Sequence, residues 1–215
     1  MLVSTFEILL KSQLPTNFTQ LENISRKVLQ GYFLTIANPN NFSVSLELSF
    51  TVSPSFFTEI APAAPNQLPF GKIDEPSNFT RVFAFFDVNG GNQPFGLQPT
   101  ERPDTRIAPL SIPAKDTGLF ILQPNPSAII PTIPGFPGNP PPPVTTLLNA
   151  TLLNAASFEV RGYVEIEKTS PGNAVQLLLT AEHRGTFFKD LTSAPQLDQI
   201  AYSLPTATGG SLFTL

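Results

Sequence analysis

The 215-residue chain has no cysteine, no tryptophan, one histidine and one methionine, and only 13% of it is charged. Without cysteine there is no disulfide, no thiolate metal site and no cysteine nucleophile, although this leaves the compartment open. A single histidine and no cysteine cannot supply the usual zinc shell, so no metal or other cofactor is expected. Lys and Arg number 12 and are scattered, with Arg26-Lys27 the only adjacent pair; at a net charge of −4 no basic patch marks a nucleic-acid surface. No apolar run approaches the roughly 20 residues of a membrane-spanning helix. Met1 to Leu10 has no basic region ahead of its short apolar run, which makes it a poor secretory signal. Localisation stays unknown, and the expectation is a soluble chain.

What is abundant is proline, at 24 residues, with 13 glycines. Punctuation this dense does not suit helices of ordinary length but fits many short strands joined by turns. With 41% hydrophobic residues the chain is too apolar to be disordered, and its length suits one all-β domain over residues 1–215.

The period-two pattern is most organised from Phe158 to Arg184. Phe158, Val160, Gly162, Val164 and Ile166 alternate with Glu159, Arg161, Tyr163, Glu165 and Glu167. Thr169 to Asn173 supplies turn chemistry, and Val175, Leu177, Leu179 and Ala181 resume the alternation. The expectation is a central β-hairpin. Val28 to Ile36, the turn Asn38 to Asn41 and the alternating Phe42 to Val52 predict a second hairpin. Thr80 to Val88 is a third strand region, closed by Asn89-Gly90-Gly91-Asn92, and Ile107 to Ile112 with Leu119 to Leu122 is another strand pair. Thr5 to Leu14 reads as an edge strand or arm, Gln93 to Arg106 as a connection, Gln199 to Leu204 as a last short strand and Ser211 to Leu215 as an apolar tail. Residues 124–144, ending in Pro140 to Pro143, form a proline-rich surface insert, because successive prolines impose polyproline II and remove ladder donors. Seven to nine strands predict an antiparallel β-sandwich, immunoglobulin-like or jelly roll.

Candidate chemistry is sparse. His183 is the only imidazole, and a hydrolase would have to be built on Glu182 and His183 with an acidic residue such as Asp190 or Asp198. No Gly-x-Ser-x-Gly elbow supplies a serine, and on the strand pattern His183 shares the inner face with Leu179 and Ala181, the position of a structural histidine. Glu159, Glu165 and Glu167, the residues from which a glycosidase pair would be drawn, fall on the wet face where solvated charge belongs. Tyr163 stands on the same outer face, an exception to a lack of exposed aromatic platforms that disfavours a lectin. Asp87 to Asn92 has partial calcium-loop spacing but no closing acidic residue, and Asn-Gly is a strong hairpin signal. Five sequons, at Asn17, Asn23, Asn41, Asn78 and Asn149, are what chance supplies in a chain rich in Asn, Ser and Thr.

The segments Leu110-Ser111-Ile112-Pro113-Ala114-Lys115-Asp116-Thr117, Val175 to Arg184 and Gln199-Ile200-Ala201-Tyr202 resemble the sensory rhodopsin transducer family, with Asn40 to Val52 loosely matching an earlier strand. The resemblance covers about a third of the chain, the proline-rich insert departs from it, and it carries no functional residue over. It implies an oligomeric, non-enzymatic partner-binding β-sandwich, and hence a soluble partner-binding module in signalling as an alternative. The principal expectation is a non-catalytic structural or interaction protein that forms homo-oligomers. The candidate self-association residues are Leu212, Phe213 and Leu215, placed after the flexible Gly209-Gly210 so that the tail adds to a neighbour's sheet edge or pairs within its own.

Overall fold

The computed structural model describes residues 1–13, 26–53, 82–88, 90–102, 104–124, 158–172, 174–188 and 197–215. Among them there is no helix. The strands are β1 (Leu2–Ser12), β2 (Lys27–Ala37), β3 (Val44–Val52), β4 (Val82–Val88), β5 (Gly91–Phe95), β6 (Gln98–Pro99), β7 (Thr105–Ile112), β8 (Thr117–Pro124), β9 (Phe158–Lys168), β10 (Gln176–Phe188), β11 (Leu197–Ser203) and β12 (Leu212–Thr214). All strand pairings among the described residues are antiparallel, along the path β5-β4-β8-β2-β1-β9-β3-β7-β6, with β10 on β2 and both β11 and β12 on β10. The sheet is curled into a half-barrel. Its two path ends, β5 and β6, are separated in the chain only by Gly96 and Leu97. Beyond Pro124, which ends β8, the proline-rich insert lies outside the described residues, as do the sequons at Asn17, Asn23, Asn78 and Asn149.

Strand β2 is the pivot. One of its edges pairs with β10 from Ala37↔Leu178 to Lys27↔Phe188. The other is divided: Lys27 to Gln30 pairs with Ser12 to Leu9 of β1, and Tyr32 to Ala37 pairs with Leu122 to Thr117 of β8. The division falls at Gly31. From this fork one wing continues through β8, β4 and β5, and the other through β1, β9, β3, β7 and β6.

Alternation then decides what the wings enclose. Tyr32, Leu34 and Ile36 of β2, Phe120 and Leu122 of β8, and Leu177, Leu179 and Ala181 of β10 are buried, as are Phe6 and Ile8 of β1, Leu46, Leu48 and Phe50 of β3, and Val164 and Ile166 of β9. The Phe50 ring meets that of Phe120 stacked at 5.1 Å, and meets Tyr32 and Phe6 at 6.4 and 6.0 Å. Side chains of this size stabilise a fold by about 1.5–3 kcal/mol each when fully buried.

Three expected pairings are corrected. β9 and β10 do not form a hairpin: β9 pairs with β1 and β3, and β10 with β2, β11 and β12. β2 and β3 do not pair either, since β3 lies between β7 and β9. β7 pairs with β3 and β6, while β8 pairs with β2 and β4. In each case the strands exist as the alternation predicts, but the turn-rich connection joins strands that are not neighbours in the sheet. β7 to β8 runs from one wing to the other, and β2 to β3 and β9 to β10 run between a wing and the pivot pair of β2 and β10. Period two reports which face is buried and carries no information on the neighbour. The fourth turn behaves as expected: β4 and β5 pair from Val88↔Gly91, with Gly90 at φ 81, which glycine accepts without strain. Two further expectations change. β1 is an interior strand rather than an edge or arm, and Gln93 to Arg106 contains β6 and parts of β5 and β7.

Asn38 holds the crossovers together. It is 1% exposed, and its Nδ2 donates to the carbonyls of Phe42 (2.9 Å), Ile112 (3.1 Å) and Pro113 (2.8 Å). Its Oδ1 accepts from the backbone N–H of Asn40 at 3.0 Å, and Asn40 Nδ2 donates to Gln176 O at 2.8 Å. One buried amide and its neighbour thus join the β2–β3, β7–β8 and β9–β10 connections, satisfying groups that are costly to bury unpaired.

Candidate functional site

Where β1 leaves β2, its backbone loses ladder partners. Pairing to β2 covers Leu9 to Ser12 and stops there. Glu7, two residues earlier, still has an N–H on that edge, and it donates to Nε2 of His183 at 2.9 Å. A backbone amide can only donate, so Nε2 is the unprotonated nitrogen and the ring proton sits on Nδ1. Nδ1 faces the Tyr202 hydroxyl at 3.1 Å and donates to it. Tyr202 donates to Gln30 Oε1 at 3.3 Å, and Gln30 Nε2 donates to Glu7 Oε2 at 3.1 Å. Arg161 Nε donates to the other Glu7 oxygen at 2.6 Å. The donors run in one direction, from imidazole to carboxylate, and the loop closes on the residue where it began.

The electrostatics agree with the geometry. His183 is 5% exposed, and burial lowers its pKa from the ordinary 6.5 against a smaller opposing pull from Glu7. Burial likewise raises the Tyr202 hydroxyl, with Glu7 adding to the rise and the hydrogen bond to Gln30 opposing it. A neutral imidazole and a protonated phenol are the states this chain of donors requires. Beside it, Tyr32 hydrogen-bonds Ser4 at 2.9 Å and packs edge-on to His183 at 6.4 Å.

Other sequence candidates are placed apart. Glu182 points to the opposite face of β10 from His183 and pairs with Arg184 at 2.9 Å. Asp198 pairs with Arg26 at the surface, and Asp190 lies outside the described residues. Glu159 is engaged by Lys11 and Arg161, and Glu167 sits directly across from Glu47. Tyr163 is half-buried. At the suggested calcium loop Asn89 lies outside the described residues, and Asp87 Oδ1 is the buried side-chain oxygen without a hydrogen-bond partner among those described. No group of three or more metal-ligating side chains occurs among the described residues. The tail pairs within its own chain as β12 on β10, with Phe213 1% exposed and Leu212 53% exposed. Leu215 exchanges two hydrogen bonds with Val175, at 2.8 and 2.9 Å. A shallow, open cleft of about 560 Å³ lies between Met1, Glu167, Lys168 and Leu215. Among the described residues no helix is long and apolar enough to cross a membrane.

Sequence reasoning singled out His183 but missed Glu7, Gln30, Tyr202 and Asn38. A signal was present. Gln30 and Asn38 continue the inward series of Tyr32, Leu34 and Ile36 at period two, so each is a polar residue at a core position. Comparison with protein-family models, curated proteins and solved structures gives no match, so the resemblance to the transducer family rests on the quoted segments alone.

Proposed function

We propose that this chain is a non-catalytic structural or interaction protein that associates with itself, built as a β-sandwich of the jelly-roll kind. The observation that carries the non-catalytic reading is the occupancy of His183. The nitrogen that would act as a base already accepts the Glu7 amide, and its partner nitrogen already donates to Tyr202. General-base chemistry needs that lone pair free and a nucleophile within hydrogen-bond reach. Contact of Phe50 with Phe120 and Tyr32 supports two packed layers. That β2 and β3, β7 and β8, and β9 and β10 follow one another in the chain without pairing favours the long connections of a jelly roll over an immunoglobulin arrangement.

The test is an activity screen of the full chain against chromogenic esters, phosphates, glycosides and peptides, with His183→Gln in parallel. The reading expects no turnover above buffer from either protein. Turnover that His183→Gln abolishes while the melting curve stays cooperative would overturn it.

A further inference from the structure

Strand edges are where a β protein either guards itself or meets a partner. β5 carries Pro94, β6 is two residues long and carries Pro99, and β12 has three residues. β7 carries Pro109: Val52 N donates to Asp104 O, and by alternation along that ladder the nitrogen of Pro109, opposite Glu47, faces away from β3. The free side of β7 therefore lacks a donor there. β11 is different. Its seven residues contain no Lys, Arg or Pro, its register on β10 runs unbroken from Ser203↔Glu182 to Leu197↔Phe188, and its single charge, Asp198, is paired with Arg26. Gln199 to Ser203 are all exposed, and no described strand pairs with the far side of β11.

The direction of its free groups follows from one bond. Leu204 N donates to Ala181 O at 2.8 Å, so the residues at even positions along β11 turn their N–H and C=O toward β10. Gln199, Ala201 and Ser203 turn theirs outward. Resting on the self-associating reading above, we propose that a second copy of this chain pairs with that edge, β11 to β11, antiparallel about a two-fold axis at Ala201. Ala201 then faces Ala201 of the second copy and Gln199 faces its Ser203. These are three hydrogen-bonded pairs, each exchanging two bonds. On the inner side Ile200, 46% exposed, meets Tyr202, 42% exposed, and the symmetry repeats the contact. Asp198 falls opposite Leu204, so no two like charges meet along the seam. A shift of two residues that moves the axis to Ile200 sets Ile200 against its own copy but places the Asp198 carboxylate against the Tyr202 ring on both sides of it, a contact the Ala201 register avoids.

The experiment is light scattering on the full chain across a concentration series, with three variants whose changes lie on the exposed outer side. The wild type is expected to rise from the 23.3 kDa chain mass toward twice that value. Ala201→Lys, which sets two ammonium groups face to face, is expected to stay at the single-chain mass with an unchanged melting temperature. In the cysteine-free background Ala201→Cys is expected to give an oxidised dimer, since Cα atoms in such a pair lie about 5.5 Å apart, whereas Ser203→Cys is not. A wild type that associates while Ala201→Lys associates equally overturns the β11 interface and leaves self-association standing. A cross-link at Ser203→Cys in place of Ala201→Cys overturns the register. A wild type at single-chain mass throughout removes self-association and this interface together.

Discussion

The Glu7 amide donates to His183 Nε2 across 176 residues of chain, at 2.9 Å. It does so at the point where the sheet divides, where β1 has left β2 and a backbone donor would otherwise be buried without a partner. The only histidine of the chain is therefore part of the backbone hydrogen-bond system. This has consequences for stability that can be separated from any effect on activity.

His183→Leu orphans the Glu7 amide and should cost about 1–3 kcal/mol, the penalty of an unsatisfied buried donor. At this chain length that corresponds to a fall of roughly 2–4 °C in melting temperature per kcal/mol. His183→Gln, whose amide oxygen accepts, should recover part of the loss. Equal loss in both variants would contradict the acceptor role.

The pH dependence has a defined sign. The folded-state pKa of His183 lies below 6.5, so between the two values the unfolded chain holds a proton that the folded chain does not. Stability from this group is complete above about pH 6.5 and is lost as pH falls through the folded value. Carboxylates titrate at lower pH in wild type and variant alike, so the informative quantity is the difference between wild type and His183→Gln. That difference in melting temperature should narrow from pH 7.5 to pH 5.5. A constant gap would contradict the prediction.

Phe50 and Val164 are directly opposed on β3 and β9, and both are fully buried. Phe50→Ala should cost about 3–5 kcal/mol through lost contact and the cavity left among Phe6, Tyr32 and Phe120. Chemical denaturation would measure it, and a loss under about 0.5 kcal/mol would mean that the wings do not pack through this ring.

Gly162 is required by close approach. A Cβ there would stand 2.0 Å from Thr51 O and 2.8 Å from the Phe6 ring. Thr51 is backbone and Phe6 is core, so neither yields cheaply. Gly162→Ala should destabilise by about 1–3 kcal/mol or more, as overpacking does. A melting temperature within a degree or so of wild type would contradict the β1–β9–β3 register.

Glu47 and Glu167 face one another on the outer side of β3 and β9, and burial followed by Glu167 raises the Glu47 carboxyl. Like charges directly opposed oppose pairing, so Glu47→Gln should stabilise, by up to about 1 kcal/mol. The gain should shrink as pH falls and Glu47 itself becomes protonated. A destabilised variant at neutral pH would point to a favourable role for that carboxylate.

These particulars also mark how far the sequence was legible. Alternation located β3, though it begins at Val44 and leaves the expected Phe42 outside and half exposed, and located β9. It placed Phe50, Val164 and His183 on buried faces, because burial of every second side chain is a local pattern. It paired neighbouring strands wrongly, because the connections after Ala37, Ile112 and Lys168 lead to strands that are not adjacent in the sheet. The three connections meet at the Asn38 network, which joins residues as distant as Ile112 and, through Asn40, Gln176. Likewise His183 was legible as an inward histidine, but its acceptor role depends on β1 peeling away from β2, a relationship no local window contains.

One measurement bears most directly on the claim that the sole imidazole is a fixed acceptor of the fold and not a base held ready for chemistry. In a proton–nitrogen correlation spectrum tuned to imidazole couplings, a chain with one histidine gives one ring pattern and needs no assignment. The account predicts a proton on Nδ1, an unprotonated hydrogen-bonded Nε2 and a titration midpoint below 6.5. A proton on Nε2, or a midpoint at or above 6.5, would contradict it.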